Sequence, residues 1–348
     1  MALFKTQLSF CFFALLCSSF LPPKAEAKLS KSWVPILGYN STYRFFGGGG
    51  YYVADKDQEY ELGSNGVITQ QLVTKIESTA RFKLSDNWFM ELYNELANGF
   101  EPNYGRGSQT RAEDRVDVDL VKDSFVSRAN YKATDHVLIG PFVDFRIRTS
   151  KDLSYADYMH QQDAIPRQER VMGFGVRQRL DHTDRPESPT KGWMQNFTIK
   201  GFPLLFKHQE NAFAQVEADV RYYYSVFSPD LILAHAISGG LSFGRPTYLN
   251  EYRLGGTDRL RGFLEDRFRG KKYYLGQTEL RFPIWKLLSA ATFVELGEVS
   301  DGSFESPRLS YGLGLRIGLP PDYISKVRID VGFSKDQTGV FMDFGMAF

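Results

Sequence analysis

Cysteine is scarce in this 348-residue chain, and its two cysteines, Cys11 and Cys17, both lie near the N-terminus. The remainder of the chain therefore excludes a disulfide-stapled scaffold and a thiolate metal site. Long apolar runs are also missing: after the N-terminal segment, no stretch reaches the roughly 20 apolar residues of a transmembrane helix. A net charge of +1 gives no indication of nucleic-acid binding.

The N-terminal segment is the one long apolar stretch. A basic residue precedes Leu8–Leu21, and Ala25–Ala27 has the A-x-A form of a cleavage site. This combination is typical of a secretory signal. We predict a signal peptide over residues 1–27, cleaved near Ala27, and one mature domain over residues 28–348. A lipoprotein signal at Cys17 is the weaker alternative, because a leucine precedes that cysteine where a small residue is wanted.

Apolar and polar residues alternate through most of the remaining chain. The clearest stretches are Val137–Ile147, Ala212–Tyr224, Leu309–Leu319, Val327–Phe333 and Val340–Phe348. Successive side chains of a strand point to opposite faces, so each stretch has one continuous apolar face. The pattern predicts an all-β protein.

Three features favour a membrane barrel over a soluble sandwich. The alternating stretches often reach the roughly 9–11 residues of a tilted membrane strand. Charges of both signs share the polar face, and short connections alternate with long ones, as in bacterial outer-membrane barrels. We predict a transmembrane antiparallel β-barrel of about 14 strands, within a range of about 12–16, located in the bacterial outer membrane.

One stretch, Leu254–Phe263, breaks the alternation. It lies between strands predicted at about Ile232–Phe243 and Tyr273–Ile284, and its glycines and charges suit neither a strand nor a helix interior. Long structureless loops inside compact domains are uncommon and are usually functional. We predict a long extracellular loop that folds back into the barrel lumen.

Four motifs in this part of the chain resemble those of the BamA/TamA outer-membrane assembly superfamily. The loop contains the family's hydrophobic-Arg-Gly-aromatic motif, and three further stretches resemble a periplasmic turn and the two strands after the loop. The four stretches are Leu260-Arg261-Gly262-Phe263, Asp184–Gly192, Gly276–Pro283 and Phe293–Gly297. Four motifs in the family's order make the resemblance much more specific than one RGF triplet would be.

The resemblance implies that the loop plugs the lumen and that Arg261 pairs with an acid on the barrel wall. That acid is Glu295, in the Phe293-x-Glu295-x-Gly297 motif, where the family usually has aspartate. Alternation supports the pairing independently, because Val294 and its outward-facing neighbours leave Glu295 pointing inward. We expect the extra methylene to be tolerated.

Further charged residues fall on the predicted lumenal face: Glu279, Arg281, Arg316, Asp330 and Asp343. We interpret them as a network that holds the plug against the wall. The alternative is that they line a conduit.

Aromatic and apolar residues mark the end of the sequence, at Phe344, Met346 and Phe348. The simplest interpretation of Phe348 is a lipid-facing end residue, and the resemblance implies an assembly signal formed by these three residues. A glycine run, Gly47–Gly50, falls in the predicted first strand. It leaves room for the plug or, alternatively, weakens the seam between the first and last strands, which a kink at Gly345 would loosen further.

The resemblance implies assembly, insertion or transport of protein or lipid at the outer membrane. Implied partners are outer-membrane lipids, the barrel-assembly machinery, and unfolded client proteins or a soluble periplasmic partner. We expect a barrel-only member without the family's periplasmic POTRA domains. That departure supports the alternative, a structural or surface-antigen barrel or a narrow passive pore without client-handling activity. Histidines are scattered and no catalytic motif is found, so we expect no enzyme, cofactor or metal site.

Overall fold

The computed structural model describes residues 29–55, 59–151, 167–186, 188–207, 209, 211–319 and 326–348. Sixteen antiparallel strands close into one barrel, which confirms the predicted all-β class. Among these residues, no helix is long and apolar enough to cross a membrane. The predicted signal peptide lies outside the described residues.

The barrel strands follow chain order. They are β1 (Leu29–Asn40), β2 (Arg44–Asp55), β3 (Tyr60–Thr69), β4 (Thr74–Lys83), β5 (Trp88–Asn103), β6 (Val116–Thr134), β7 (Val137–Ser150), β8 (Gln168–Asp181), β9 (Gly192–Phe202), β10 (Phe213–Ser225), β11 (Ile232–Gly244), β14 (Lys272–Trp285), β15 (Leu288–Ser300), β16 (Arg308–Gly318), β17 (Lys326–Phe333) and β18 (Thr338–Phe344). Two short strands between β11 and β14, β12 (Tyr252–Leu254) and β13 (Phe268–Gly270), form a separate hairpin. Each barrel strand pairs with its neighbour along the barrel, and β18 returns to β1.

The two faces of the barrel wall differ as the alternation predicted. In β15, Val294 and Leu296 are 52% and 43% exposed on the outward face, whereas Phe293 and Glu295 are 1% and 0% exposed. Apolar side chains thus cover the outside, and charged ones concentrate in the lumen.

The strand number is sixteen rather than about 14, and the two extra strands lie near the N-terminus. One of them is β1, in which Pro35 has no backbone N–H to donate and so weakens the strand pattern. The other is β3, in which Gly63 and Gly66 weaken the strand pattern. Pairing with neighbouring strands stabilises both segments despite their local sequence.

The connections differ between the two ends of the barrel. The end that carries Leu29 and Phe344, called here the termini end, has tight turns such as 135–136 and 286–287. The opposite end, called the loop end, carries longer connections, including 104–115 and the 27-residue span 245–271 between β11 and β14.

Residues 245–271 form the inserted loop, which folds into the lumen. The loop is not structureless as expected: it contains a 3-10 turn at Tyr248–Asn250 and the β12–β13 hairpin. Its apolar side chains pack together and against three wall residues. This cluster comprises Tyr252, Leu254, Leu260, Phe263 and Phe268 of the loop and Tyr273, Leu275 and Val299 of the wall.

The barrel closes at a short seam. Along the described chain, β1 pairs with β18 at Tyr39 opposite Met342 and at Asn40 opposite Phe341, whereas it pairs with β2 over its whole length. The glycine run Gly47–Gly50 lies in β2, so its predicted place in the first strand was wrong.

The last residues turn away from the lipid-facing surface. Strand β18 ends at Phe344, and Gly345 adopts a φ of +84°, a left-handed conformation that favours glycine. Phe348 is only 4% exposed and packs inside the barrel with Tyr223 and Ala234. The predicted lipid-facing position of Phe348 was therefore wrong, because a change in backbone direction at Gly345 overrides the alternation.

Candidate functional site

The Leu260–Phe263 motif forms a tight turn that presents Arg261 to the wall. The N–H of Phe263 donates to the carbonyl oxygen of Leu260 at 2.9 Å. Leu260 has a φ of +53°, which is uncommon for a residue with a side chain. Its side chain is fully buried in the apolar cluster, and that packing holds the unusual backbone in place.

Arg261 lies against Glu295, the predicted partner. Arg261 Nε donates to Glu295 Oε1 at 2.9 Å, and the Arg261 backbone N–H donates to Glu295 Oε2 at 2.6 Å. Neither side chain is exposed. One carboxylate therefore fixes both the backbone and the guanidinium group of the loop, through short charge-assisted hydrogen bonds.

The other edge of the Arg261 guanidinium meets two more carboxylates. Its Nη1 donates to Glu279 Oε2 at 2.7 Å and to Asp330 Oδ2 at 3.0 Å. The guanidinium carbon stands 3.5 Å from the centre of the Phe293 ring, where the π-face attracts a cation. Arg261 thus contacts strands β14, β15 and β17.

The remaining residues of the predicted network surround this contact. Arg316 Nη2 donates to Glu279 Oε2 at 3.2 Å, and its Nη1 bonds to Asp330. Arg281 Nε donates to Glu279 Oε1 at 2.9 Å and so joins Arg261 indirectly. The set of Arg261, Arg281, Arg316, Glu279, Glu295 and Asp330 is neutral. Pairing offsets the large cost of burying these charges.

The three acids also determine the protonation of the loop arginine. Burial by itself would lower the pKa of Arg261, but Glu295, Glu279 and Asp330 together raise it above its ordinary value. Arg261 is therefore a permanent cation, and the network is suited to holding the loop rather than to proton transfer.

Several members of the site were not predicted. Gln277 Nε2 and Ser310 Oγ each donate to Glu295 at 2.8 Å. Arg328 Nη2 donates to Asp258 Oδ1 in the loop at 2.6 Å, and it lies 3.4 Å from the predicted lumenal residue Asp343. The three unpredicted wall residues, Gln277, Ser310 and Arg328, stand on inward positions of their strands, so alternation could have identified them as lumenal, though not as partners.

Close packing explains the glycine of the motif. A Cβ built on Gly262 would lie 2.5 Å from the Phe333 carbonyl oxygen, and one on Gly332 would lie 2.3 Å from the Arg261 carbonyl oxygen. Gly297 is also confined, because its Cβ would lie 2.9 Å from the Tyr274 carbonyl oxygen. The loop and wall backbones therefore touch directly.

A second contact, unforeseen from the sequence, ties the loop to the seam. Asn40 Nδ2 donates to Glu265 Oε2 at 3.0 Å, and the Glu265 N–H donates to Thr42 Oγ1 at 2.8 Å. Burial, with a smaller contribution from Asp266, raises the pKa of Glu265 to about 8. Asn40 is one of the two β1 residues paired with β18.

The barrel, its inserted loop and the anchored arginine agree with the match to a family model. Residues 75–347 match a model described as the Omp85 superfamily domain. This chain belongs to the Omp85 superfamily. Membership confirms the resemblance noted in the sequence and points to the bacterial outer membrane.

Solved structures show the same fold at low identity. BamA from Haemophilus ducreyi lacking POTRA domains 1–3 matches with a TM-score of 0.67 and 13% identity, over 92% of this chain and 71% of that one. CdiB from Acinetobacter baumannii matches with a TM-score of 0.59 and 11% identity, over 93% of this chain and 60% of CdiB. CdiB from Escherichia coli gives a TM-score of 0.61 at 10% identity, over 93% and 63% of the two chains. No curated protein matches the sequence.

Proposed function

We propose that this Omp85 barrel inserts or transports protein, or lipid, at the bacterial outer membrane. In this proposal the chain is exported through the signal at residues 1–27. The termini end of the barrel faces the periplasm, and the loop end faces outward, as the longer loops of bacterial barrels do. The proposal assigns no catalytic role to any residue.

The β1–β18 seam carries this proposal. Among the described residues, no strand pairs with the β18-facing edge of β1 from Ser30 to Gly38, and this edge offers backbone hydrogen-bonding groups to an incoming strand. A client segment that pairs with this edge could leave the barrel sideways into lipid.

The contacts of the inserted loop divide the barrel into a fixed side, strands β14–β17, and a movable side at β1. Arg261 and its acids lock the loop onto β14–β17, where bonds from three strands meet. The loop touches the seam through the carboxyl group and N–H of Glu265 and through Thr257, whose Oγ1 lies 3.5 Å from Asn40 Nδ2. We assign Arg261 the role of a fixed anchor, so that β1 can move without displacing the loop.

The assembly signal remains a proposal for Phe344, Met346 and Phe348. Because Phe348 is enclosed in the folded barrel, the machinery would have to bind it before folding is complete. Removing Phe348 should then reduce insertion of this chain in cells, while refolding of the purified chain in detergent should be much less affected.

A reversible seam lock tests the proposed function. Cysteines at the facing positions Tyr39 and Met342 would form a disulfide that joins β1 to β18. We expect the oxidised double variant in lipid vesicles to lose its acceleration of the folding of an added outer-membrane protein, and the reduced form to regain it. Cysteines placed at Leu296 and Leu309, a facing pair on the fixed side, provide the matched control.

Equal acceleration by the oxidised and reduced seam variants would contradict the proposal. Loss of acceleration in the oxidised control pair would show that a disulfide in the wall, rather than closure of the seam, is responsible.

A closed structural barrel or narrow pore is the second candidate function. The observation that favours it is that the inserted loop, the neutral charge network and Phe348 all occupy the lumen. Such a barrel would give little or no conductance in planar bilayers and no acceleration of client folding, whether its seam is locked or free.

A further inference from the structure

The side chain of Phe348 occupies a pocket in the lumenal wall near the termini end. Its floor consists of Tyr223 on β10 and Ala234 and Ala236 on β11, all buried. The two alanines provide the space for an aromatic ring, and Tyr223 gives a broad apolar surface.

The pocket also has a polar end. Arg281 Nη2 donates to the main-chain oxygen of Phe348 at 2.6 Å, and its guanidinium carbon lies 5.7 Å from the centre of the Phe348 ring. Glu279 orients Arg281 from the other side, at 2.9 Å from Nε. The pocket therefore recognises two features of its occupant: an aromatic ring and a main-chain oxygen.

The occupant reaches this pocket from another part of the wall. Strand β18 neighbours β17 and β1, whereas the pocket lies on β10, β11 and β14. Residues 345–348 form no strand, and the Gly345 N–H donates to the Lys326 carbonyl oxygen at the start of the segment. Contacts within the pocket therefore contribute much of what holds Phe348, and such a short segment can be displaced.

We propose that this pocket is a peptide-binding site for an aromatic residue at the end of an extended polypeptide segment. Phe348 fills it as an internal ligand, and an extended segment of another chain competes for it. The ring enters the Tyr223–Ala236 floor, and the main-chain or terminal oxygen binds Arg281. This proposal stands independently of the insertion activity.

A binding measurement with a defined probe tests the site. The probe is a fluorescent peptide with the sequence of residues 340–348, and the receptor is the full chain refolded in detergent. Phe348→Ala should bind the probe at least about tenfold more tightly than the unchanged chain, because the internal segment competes at a high effective concentration. A probe that ends in alanine should bind neither protein.

Variants of the pocket, made in the Phe348→Ala chain, provide the controls. Ala236→Trp fills the floor and should reduce probe affinity at least about tenfold, whereas Ile237→Trp, on the adjacent outward position that is 70% exposed, should leave it unchanged. Arg281→Gln should weaken binding about fivefold or more, because a charge-assisted bond is lost. Heat-modifiable migration in gels establishes that each barrel is folded, and Arg281→Gln serves alone if Ala236→Trp does not fold.

Equal binding of the alanine-ended probe would overturn the proposal, as would full affinity in folded Ala236→Trp or Arg281→Gln. The assay contains no client and no vesicle. A barrel that binds the probe but does not accelerate client folding would refute the proposed function alone, and the reverse result would refute the pocket alone.

Discussion

Two of the contacts that tie the inserted loop to the barrel differ in chemistry. At Arg261, a permanent cation meets the three acids Glu295, Glu279 and Asp330 in a site closed to solvent. At Glu265, the carboxylate accepts from the neutral amide of Asn40, the N–H donates to the neutral hydroxyl of Thr42, and Asp266 adds a second negative charge. With Arg281 and Arg316 included, the first contact is balanced in charge, whereas the second is not.

This difference predicts that the Arg261 and Glu265 contacts respond differently to pH. The three acids raise the pKa of Arg261 above its ordinary value, so the arginine stays charged and the loop should stay on β14–β17. Glu265 changes charge within that range, and it does so beside the short seam. The barrel therefore combines a permanent anchor at Arg261 with an adjustable contact at Glu265, whose charge depends on pH.

Removing the carboxylate of Glu295 should cause the largest loss of stability. Glu295→Ala leaves Arg261 with a buried and partly unpaired charge, which typically costs about 3–5 kcal/mol. We expect a correspondingly lower midpoint of urea unfolding in lipid vesicles. Glu305→Ala, in an exposed loop, should stay within about 0.5 kcal/mol of the unchanged chain. An unchanged midpoint for Glu295→Ala would remove the basis for calling the Arg261 contact an anchor.

A smaller loss of stability should follow from pushing the loop backbone at Arg261 away from the β17 backbone at Gly332. Gly332→Ala places a methyl group 2.3 Å from the Arg261 carbonyl oxygen, so the loop must shift. Overpacking of this kind typically costs about 1–3 kcal/mol, and a lower melting temperature in detergent should report it. Gly276→Ala is the matched control, because its nearest neighbour, the Leu296 carbonyl oxygen, would be 3.9 Å away. Equal melting temperatures for the two variants would show that the loop does not press on β17.

The adjustable contact should give the barrel a pH-dependent stability. The folded pKa of Glu265 is raised from 4.5 to about 8, so the folded state binds the proton more tightly. The barrel should lose stability as the pH rises through this window, by about 1–2 kcal/mol after screening by nearby solvent. Glu265→Gln should remove this loss, with melting temperature against pH as the measurement. Glu113→Gln, in an exposed loop, should retain the slope of the unchanged chain, and a retained slope in Glu265→Gln would exclude this residue as its source.

Removing the Ser310 hydroxyl, a secondary hydrogen-bond donor to Glu295, should cause the smallest loss of stability. Ser310→Ala takes one neutral hydrogen bond from Glu295, which keeps its bonds to Arg261 and Gln277. The expected cost is about 0.5–1.5 kcal/mol, from the same urea titration. A cost equal to that of Glu295→Ala would mean that Ser310, rather than Arg261, is the main partner of this acid.

Sequence patterns were sufficient to predict much of the charged site on strands β14–β17. Alternation placed Glu279, Arg316 and Asp330 inside, and family resemblance paired Arg261 with Glu295. Both signals are local, because each depends on a few neighbouring positions or on one motif. They failed where local sequence was weak, as in β1 with Pro35, or where a single glycine redirected the chain, as at Gly345.

The sequence by itself determined the strand class, the polarity of the two faces and the motif that enters the lumen, because side-chain alternation follows from strand geometry alone. Only the tertiary structure decided the closure with sixteen strands, the Glu265 contact with Asn40 and the inward position of Phe348. Those features join segments far apart in the chain. Which distant surfaces meet depends on their packing together, and no local pattern records it.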